Sequence, residues 1–275
     1  MSQRDSLDEA RRRLFRGIGS PPQGTFVVDQ FQQEAISSVV DGHDTLVVAP
    51  TGAGKTYIAM EAIRATLELK LRAIYTTPLK ALSNTKFTEL KNRFEPKHKV
   101  GLLTGDRKID GDADVVVATT EIYRNELYRT YERFSLVILD EVHFIADPQR
   151  GPVWEESIIL TPASTTLLML SASISNAQEI AGWLEDVRGK ECRIVFKKER
   201  PVELRFAFLH PELGIMPLED EKGGVFSEVR RFYGAVGLDA SGMRLRGGRF
   251  DRRRQDGNGG GRFRGRGRSR GGRGR

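Results

Sequence analysis

The fold is indicated most clearly by one segment of the sequence, Thr45-Leu46-Val47-Val48-Ala49-Pro50-Thr51-Gly52-Ala53-Gly54-Lys55-Thr56. Its first residues are β-branched or apolar, which predicts a strand buried on both faces. A glycine-rich turn follows, and then a helical stripe along Thr56–Leu69. A strand, then a glycine-rich loop that ends in Gly-Lys-Thr, then a helix is an order typical of proteins that bind the phosphates of a nucleotide.

Each residue type in this loop suits that chemistry. Gly52 and Gly54 allow backbone N–H groups to turn toward phosphate oxygens, and the helix that follows points its positive end at the same anion. Lys55 would place a cation on the β- and γ-phosphates, and the Thr56 hydroxyl can ligate Mg²⁺. The usual first glycine of such loops is Ala49 here. The predicted ATP-binding residues of the loop are Thr51, Gly52, Ala53, Gly54, Lys55 and Thr56.

A second apolar run, Leu136–Leu139, ends in Asp140-Glu141-Val142-His143. Two adjacent carboxylates after a buried strand suit a site for Mg²⁺ and a nucleotide, with Asp140 holding the metal and Glu141 acting as general base. Alone, this pattern is better explained as an ordinary exit from a strand into a loop. Together with Lys55, it predicts ATP hydrolysis, with Glu141, Asp140 and Lys55 as catalytic residues and ATP and Mg²⁺ as cofactors.

Strand-like and helix-like segments alternate through the rest of the body, which predicts an α/β fold with a three-layer, doubly wound, mainly parallel sheet. A capping box is expected at Ser175-Asn176-Ala177-Gln178, where a helix should begin. The predicted strands are Thr45–Val48, Ala73–Thr76, Val100–Leu103, Asp114–Ala118, Leu136–Leu139, Thr166–Leu170 and Arg193–Phe196.

The formal net charge of +7 divides unevenly along the chain. Residues 242–275 contain thirteen Arg, twelve Gly and two Asp, a charge of +11, which leaves −4 for the remainder. We therefore predict four parts: a flexible N-terminal extension (1–22), a nucleotide-binding domain (23–200), a linker (201–241) and a disordered Arg/Gly-rich tail (242–275). The linker could contain a strand at Glu203–Leu209 and a short helix at Val225–Val236.

Several classes of protein are disfavoured by composition. No apolar run approaches the roughly 18 residues that a membrane-spanning helix needs, so no membrane partner is expected. The N-terminus has no apolar region typical of a secretory signal, and the single Cys192 can form no internal disulfide. Four scattered histidines form no obvious metal site. These features favour a cytoplasmic protein.

The motifs, taken in order, resemble the DExH-box helicases of superfamily two, in particular the Ski-like RNA helicase branch. Asp140–His143 resembles motif II of that family, and Ala49–Thr56 resembles motif I. Phe31-Gln32-Gln33-Glu34-Ala35-Ile36 resembles its Q-motif, which implies that Gln32 recognises adenine. The resemblance also suggests that Phe26 stacks on the base. On isolated residues, Gln32 would instead be interpreted as a polar helix residue beside Phe31.

Three further segments resemble loops that grip the sugar-phosphate backbone of a single strand in this family. They begin at Thr77-Pro78, Thr104-Gly105 and Thr119-Thr120. Hydroxyls, N–H groups and one lysine suit contacts to phosphates without reading bases. The alternative for each is an ordinary capping or turn residue. The nucleic-acid contacts implied in the body are Pro78, Lys80, Thr104, Gly105, Thr119 and Thr120.

Ser171-Ala172-Ser173 resembles motif III, with Ser173 where threonine is usual. The resemblance implies that Ser171, Ser173 and His143 couple nucleotide state to strand movement. In the tail, Arg246, Arg249 and Arg270 lie among Arg-Gly pairs with interleaved phenylalanines, a composition typical of segments that bind RNA or single strands. A solubilising charged end is the alternative for the tail.

The resemblance covers residues 24–210 and one P-loop NTPase (RecA-like) lobe. Helicases of this family have a second lobe with arginine fingers in a Gln-x-x-Gly-Arg-x-Gly-Arg element, which this sequence lacks. We therefore expect an ATP-dependent RNA helicase lobe that is incomplete alone, with RNA or single-stranded nucleic acid as partner and a second lobe in trans as a further candidate. The alternatives are an ATP-gated RNA-binding adaptor without unwinding activity and an unrelated P-loop ATPase.

Overall fold

In a computed structural model, residues 3–18, 27–129, 134–201, 203–220 and 223–235 are described. The chain divides into a larger unit (21–204) and a smaller unit formed by residues 1–20 and 205–275. The helices are α1 Gln3–Phe15, α2 Gln30–Val40, α3 Lys55–Glu68, α4 Lys80–Phe94, α5 Thr120–Leu127, α6 Gly151–Leu160, α7 Ala177–Arg188 and α8 Ser227–Ala235, with a 3₁₀ helix at Val142–Ala146. The strands are β1 Asp44–Val48, β2 Ala73–Thr77, β3 Val100–Leu103, β4 Lys108–Ile109, β5 Val115–Thr119, β6 Leu136–Leu139, β7 Thr166–Ser171, β8 Cys192–Phe196, β9 Ala207–His210 and β10 Gly214–Pro217.

Strands β1–β8 of the larger unit form one sheet in the order β4-β3-β5-β2-β6-β7-β1-β8. Every pair is parallel except β3–β4, in which the two-residue β4 returns antiparallel along the edge. Alternate residues of a strand enter different cores. Val47 packs in the core that contains Ile58 and Leu90, whereas Leu46 and Val48 pack in the core that contains Trp154. The sheet is thus covered on both faces, and the predicted three-layer, mainly parallel α/β fold is confirmed.

All seven predicted strands of the body are present, with ends that differ by one residue or agree. The short β4 was not predicted, because two residues with an exposed lysine give no periodic signal. The capping box expected at Ser175 is also not formed. Helix α7 begins at Ala177 with Asn176 as its N-cap, no side-chain hydrogen bond caps it, and Asn176 Nδ2 donates instead to Glu179 Oε2 at 3.1 Å.

The smaller unit differs in part from the expectation of a flexible extension and a linker. The helix predicted at Val225–Val236 is present as α8, and the strand predicted at Glu203–Leu209 is present with shifted ends as β9. Helix α1 occupies most of residues 1–22, and the segment 205–235 contains the hairpin β9–β10 and helix α8. The reason is an apolar stripe in a charged helix: Leu7, Ala10 and Leu14 are buried, and Leu7 shares a small core with Met216 and Val229. Tail residues 242–275 lie outside the described part, so their disorder stays a prediction.

A buried ion pair fixes the N-terminal edge of the sheet. Arg188, at the end of α7, donates from Nε to Asp44 Oδ2 at 2.6 Å, and each side chain is 1% exposed. The other Arg188 nitrogens donate to the carbonyls of Ile158, Thr161, Pro162 and Thr165. Helix α7 is thereby tied to β1 and to the end of α6. Among the described residues, none of the helices has the length and apolar character needed to cross a membrane.

Candidate active site

The loop between β1 and α3 has the conformation expected of a phosphate-binding turn. Gly52 and Gly54 have φ angles of +86° and +88°, which residues with a Cβ rarely adopt. Ala53 N–H donates to Pro50 O at 3.1 Å and closes the turn. Helix α3 then begins at Lys55, so its first N–H groups point into the loop.

Lys55 lies across this loop. Its Nζ donates to the carbonyls of Ala49 at 2.6 Å and Pro50 at 3.2 Å. Burial lowers the pKa of Lys55 below its usual value, and the nearby carboxylates of Glu141 and Asp140 oppose that effect. An ammonium that is partly desolvated and held by neutral carbonyls is well suited to pair with a phosphate oxygen.

Asp140 and Glu141 follow β6, two strands from β1 in the sheet and on the same carboxyl-terminal edge. Asp140 accepts from the Tyr75 hydroxyl at 2.6 Å and from Glu141 N–H at 3.0 Å. The pKa of the Tyr75 hydroxyl is well above its usual value because the group is buried beside these carboxylates. Tyr75 therefore remains a neutral donor that orients Asp140.

Glu141 has a left-handed backbone, with φ 55° and ψ 43°, immediately before the 3₁₀ helix. Such a conformation is costly for a residue with a side chain and is concentrated at functional sites. Its Oε2 is buried and lies 3.3 Å from His143 Nδ1, yet neither atom has a hydrogen-bond partner in the described structure. A buried carboxylate oxygen with no partner is available to accept a proton from water.

The donor atoms at this edge suit Mg²⁺. The Thr56 hydroxyl and the Asp140 carboxylate are hard oxygen ligands, as Mg²⁺ requires. Within the described residues, no cluster of three or more His, Cys, Asp or Glu side chains could hold a metal by itself. One carboxylate and one hydroxyl fit an ion whose other ligands are phosphates and water.

The Gln32 side chain is buried, and both ends of its amide make hydrogen bonds within the protein. It is 3% exposed, its Oε1 accepts from Asp29 N–H at 3.0 Å as part of a capping box, and its Nε2 donates to Ala53 O at 3.1 Å. Gln32 thus links the start of α2 to the phosphate loop. Adenine recognition by Gln32 stays a prediction, and Phe26 lies outside the described residues.

The loops that were predicted to grip a nucleic-acid strand follow β2, β3 and β5, which are neighbours in the sheet. Lys80 and Gly105 are exposed, and Lys80 pairs with Asp106. Pro78, Thr104, Thr119 and Thr120 are buried. Thr120 Oγ1 donates to Thr77 O at 3.2 Å, which ties two of these loops together. Of the six residues predicted to contact nucleic acid, only Lys80 and Gly105 are therefore exposed.

The motif III segment begins at Ser171, the last residue of β7. Ser171 is buried, and its Oγ accepts from Ser173 N–H at 3.3 Å, while the Ser173 side chain is exposed. His143 stacks on Phe144 with ring centroids 4.9 Å apart, and Phe144 stacks on the buried Trp154 at 5.7 Å. The coupling roles of Ser171, Ser173 and His143 stay predictions. Arg246, Arg249 and Arg270 lie outside the described residues.

Two residues at the site were not found from the sequence, namely Tyr75 and Lys86. Tyr75 stands inside an apolar strand, and Lys86 lies in a polar helix beside Lys91. Lys86 Nζ donates to Thr56 Oγ1 at 3.0 Å and lies 5.6 Å from the centre of the Tyr75 ring. Neither residue carries a motif signal, because their importance depends on side chains far away in sequence.

Comparisons with known proteins agree with this arrangement. Residues 29–180, more than half of the chain, match the family model described as DEAD/DEAH box helicase. The chain is 48% identical over 182 residues to the probable helicase HelY of Mycobacterium leprae, covering 65% of this chain and 20% of that protein. It is 44% identical over 207 residues to the chloroplastic DExH-box ATP-dependent RNA helicase DExH15 of Arabidopsis thaliana, covering 72% and 17%. It is 42% identical over 202 residues to the exosome RNA helicase MTR4 of Mus musculus, covering 72% and 19%.

A solved structure supports the fold. The DUF1998 helicase MrfA bound to DNA aligns with a TM-score of 0.53 at 20% identity, covering 72% of this chain and 30% of that one. The chain spans about a fifth of the length of the curated relatives that it matches. The matched region contains the phosphate loop, Asp140 and Glu141, and the strand-end loops described above. The chain belongs to the DEAD/DEAH box helicase family.

Proposed function

We propose that this chain is the ATP-binding lobe of an ATP-dependent RNA helicase, which couples ATP binding and hydrolysis to the binding of a single strand. The observation that carries the proposal is the placement of both sites on one edge of one sheet. The nucleotide motifs follow β1, β6 and β7, and the loops for the strand follow the adjacent β2, β5 and β3. A change at one site can therefore reach the other across neighbouring strands.

The residues support a division of labour in hydrolysis. The N–H groups of the loop and the Lys55 ammonium would bind and orient the phosphates. Thr56 and Asp140 would hold Mg²⁺, which when bound neutralises charge on the phosphates. The Oε2 of Glu141, which accepts no hydrogen bond from the described residues and lies 3.3 Å from His143 Nδ1, would accept the proton of the attacking water.

We propose that the lobe needs a second helicase lobe for full turnover. Arginine fingers contribute roughly 10³–10⁵ in rate to related phosphoryl transfers. The chain alone is expected to bind Mg²⁺–ATP and to hydrolyse it slowly. We also propose a cytoplasmic location, since Cys192 is the single cysteine and requires no oxidising compartment.

A steady-state ATPase assay with and without single-stranded RNA tests this function, with Glu141→Gln as the inactive variant. We expect a slow rate in the wild-type chain that Glu141→Gln abolishes. Addition of a second helicase lobe should raise the wild-type rate and make it respond to RNA. Nucleotide and RNA binding without hydrolysis, even with that lobe present, would favour the ATP-gated adaptor instead.

We propose further that the Arg/Gly-rich tail (242–275) adds affinity for RNA with little sequence preference. Its +11 charge would act through release of counterions, so binding should weaken steeply with salt. Fluorescence anisotropy with labelled single-stranded RNA, on chains with and without residues 242–275, measures this contribution. Equal affinity of the two chains would refute it.

A further inference from the structure

Lys86 occupies a position between the two sites of the lobe. It lies in α4, the helix that begins at Lys80 directly after the first strand-gripping loop. Its Nζ donates to Thr56 Oγ1 at 3.0 Å and to Glu89 Oε2 at 2.8 Å. The Lys86 side chain is 17% exposed, so this ammonium is held mainly by protein atoms.

Lys86 also approaches the second candidate ligand for Mg²⁺. Its Nζ lies 5.6 Å from the centre of the Tyr75 ring, and the Tyr75 hydroxyl donates to Asp140 at 2.6 Å. The cation therefore contacts Thr56 directly and Asp140 through Tyr75. Of the two groups that would hold Mg²⁺, one touches α4 through Lys86, and the other is linked to α4 through Tyr75.

The same helix holds the loop after β3. At its N-terminus, Lys80 pairs with Asp106, and Asn84 Oδ1 accepts from Arg107 Nη1 at 2.8 Å. Lys80 and Lys86 are six residues apart, a separation of about 9 Å along a helix axis. Asn84 and Lys86 project in nearly opposite directions from a helix of 3.6 residues per turn. Helix α4 thus contacts the strand-binding loop on one side and the nucleotide site on the other.

Binding of Mg²⁺ at Thr56 would compete with Lys86. A hydroxyl oxygen that coordinates a divalent cation is a poor acceptor for an ammonium, because the two positive charges repel at short distance. Loss of the Lys86–Thr56 hydrogen bond would remove a tie between α4 and the start of α3. Helix α4, and the loop bonded to Lys80 and Asn84, would then be free to adjust.

We propose that Lys86 is a positioning residue that couples occupation of the nucleotide site to the affinity of the lobe for a single strand, acting through α4. This inference rests on the proposed function and assigns that coupling to one side chain. The Lys86–Thr56 hydrogen bond would then be present without nucleotide and broken when Mg²⁺–nucleotide is bound. By linkage, RNA must then change nucleotide affinity by the same factor as nucleotide changes RNA affinity, and substitution of Lys86 should reduce both effects equally.

The test measures binding and does not depend on turnover. Anisotropy of a labelled single-stranded RNA is titrated with the full chain at fixed salt, with and without a saturating, non-hydrolysable ATP analogue and Mg²⁺. The ratio of the two dissociation constants is the coupling factor. We expect a factor of at least about 5 in the wild-type chain, within the usual range for coupled sites, and a factor below about 2 in Lys86→Met.

Two further variants control this measurement. Lys91→Met removes the same charge from the same helix, but Lys91 pairs with Glu95 at 3.7 Å, one turn further along, and should keep the wild-type factor. Lys86→Arg keeps a cation and should restore most of the coupling. Helical circular dichroism shows whether each variant is folded, and a misfolded Lys86→Met is replaced in the comparison by Lys86→Gln.

The outcomes separate the inference from the function on which it rests. A wild-type chain that binds neither the analogue nor RNA would contradict the proposed function itself. A wild-type chain that binds both without coupling would overturn the inference alone. The inference alone would also be overturned if Lys86→Met kept the wild-type coupling factor, or if Lys91→Met lowered the coupling factor as much as Lys86→Met. Loss confined to Lys86→Met and rescue by Lys86→Arg support it.

Discussion

Substitution of Arg188 by methionine should destabilise the larger unit strongly, for a reason that the structure makes quantitative. Arg188 and Asp44 form an ion pair at 2.6 Å in which each side chain is 1% exposed. Methionine fills much of the space of arginine but supplies no donor. Asp44 would keep Leu167 N–H at 2.8 Å and Lys190 at 3.5 Å, yet it would lose its closest charge partner.

The expected cost follows from that loss. Removal of one partner of a buried ion pair typically costs about 3–5 kcal/mol, because the other charge is left without compensation. The Thr161 carbonyl, which accepts from Arg188 at 2.5 Å, loses that donor as well, and the Thr165 carbonyl keeps only its longer bond from Lys190 at 3.3 Å. We therefore expect about 4 kcal/mol, which lowers the urea midpoint by about 2 M for a slope of about 2 kcal/mol/M.

The measurement is urea unfolding followed by tryptophan fluorescence. The chain has two tryptophans, Trp154 and Trp183, and both lie in the larger unit, so the signal reports that unit. Arg193→Met is the matched control, since Arg193 pairs with Glu191 at 3.1 Å on the surface and should cost less than about 1 kcal/mol. Addition of Asp44→Asn to Arg188→Met should recover part of the loss. Equal urea midpoints for Arg188→Met and Arg193→Met would show that the buried ion pair contributes no more stability than a surface pair.

Three further predictions concern separate parts of the larger unit. Burial raises the pKa of the Cys192 thiol to about 12, so the folded chain should react with a thiol reagent at pH 8 far more slowly than the urea-unfolded chain. The thiol has a pKa of about 8.5 when the chain is unfolded, so its contribution to stability is complete below about pH 8.5 and declines as the pH rises toward 12. The urea midpoint should therefore be lower at pH 10 than at pH 7. Tyr75→Phe removes the donor to Asp140 and should weaken Mg²⁺-dependent nucleotide binding by roughly three- to tenfold, with unchanged binding in titrations counting against this role. Gly101→Ala should lower stability by about 1–3 kcal/mol, because a Cβ there would collide with the backbone carbonyls of Asp110 and Ile109, and an unchanged urea midpoint would contradict this.

The sequence predicted the sheet well because its strands are short, apolar and buried on both faces. Leu136–Leu139 carries that signal in every residue and Val100–Leu103 in every residue except Gly101, and the predicted and observed bounds agree. The hairpin partner β4 carries no such signal. Helix α1 was missed for a different reason: its apolar stripe of Leu7, Ala10 and Leu14 is hidden by surrounding charges, and its burial partners lie some 200 residues away.

The residues of the candidate site likewise differ in whether they could be predicted from the sequence. Lys55, Asp140 and Glu141 could be predicted, because phosphate and metal chemistry require those residue types directly after a strand. The placement of Gln32 against the phosphate loop could not, because a side-chain amide serves a loop carbonyl and an adenine edge equally well. Lys86 and Tyr75 act through contacts that only the folded chain brings together.

The ATP site is tested most directly by the binding of a fluorescent ATP analogue, titrated with Mg²⁺ and with EDTA. We expect Mg²⁺-dependent binding by the wild-type chain and at least tenfold weaker binding by Lys55→Ala, because Lys55 supplies the cation of the phosphate loop. Lys97→Ala, which changes an exposed lysine outside the site, should bind as the wild type does. Binding that is unaffected by EDTA, or equally strong in Lys55→Ala, would contradict the claim that this edge of the sheet is an ATP site.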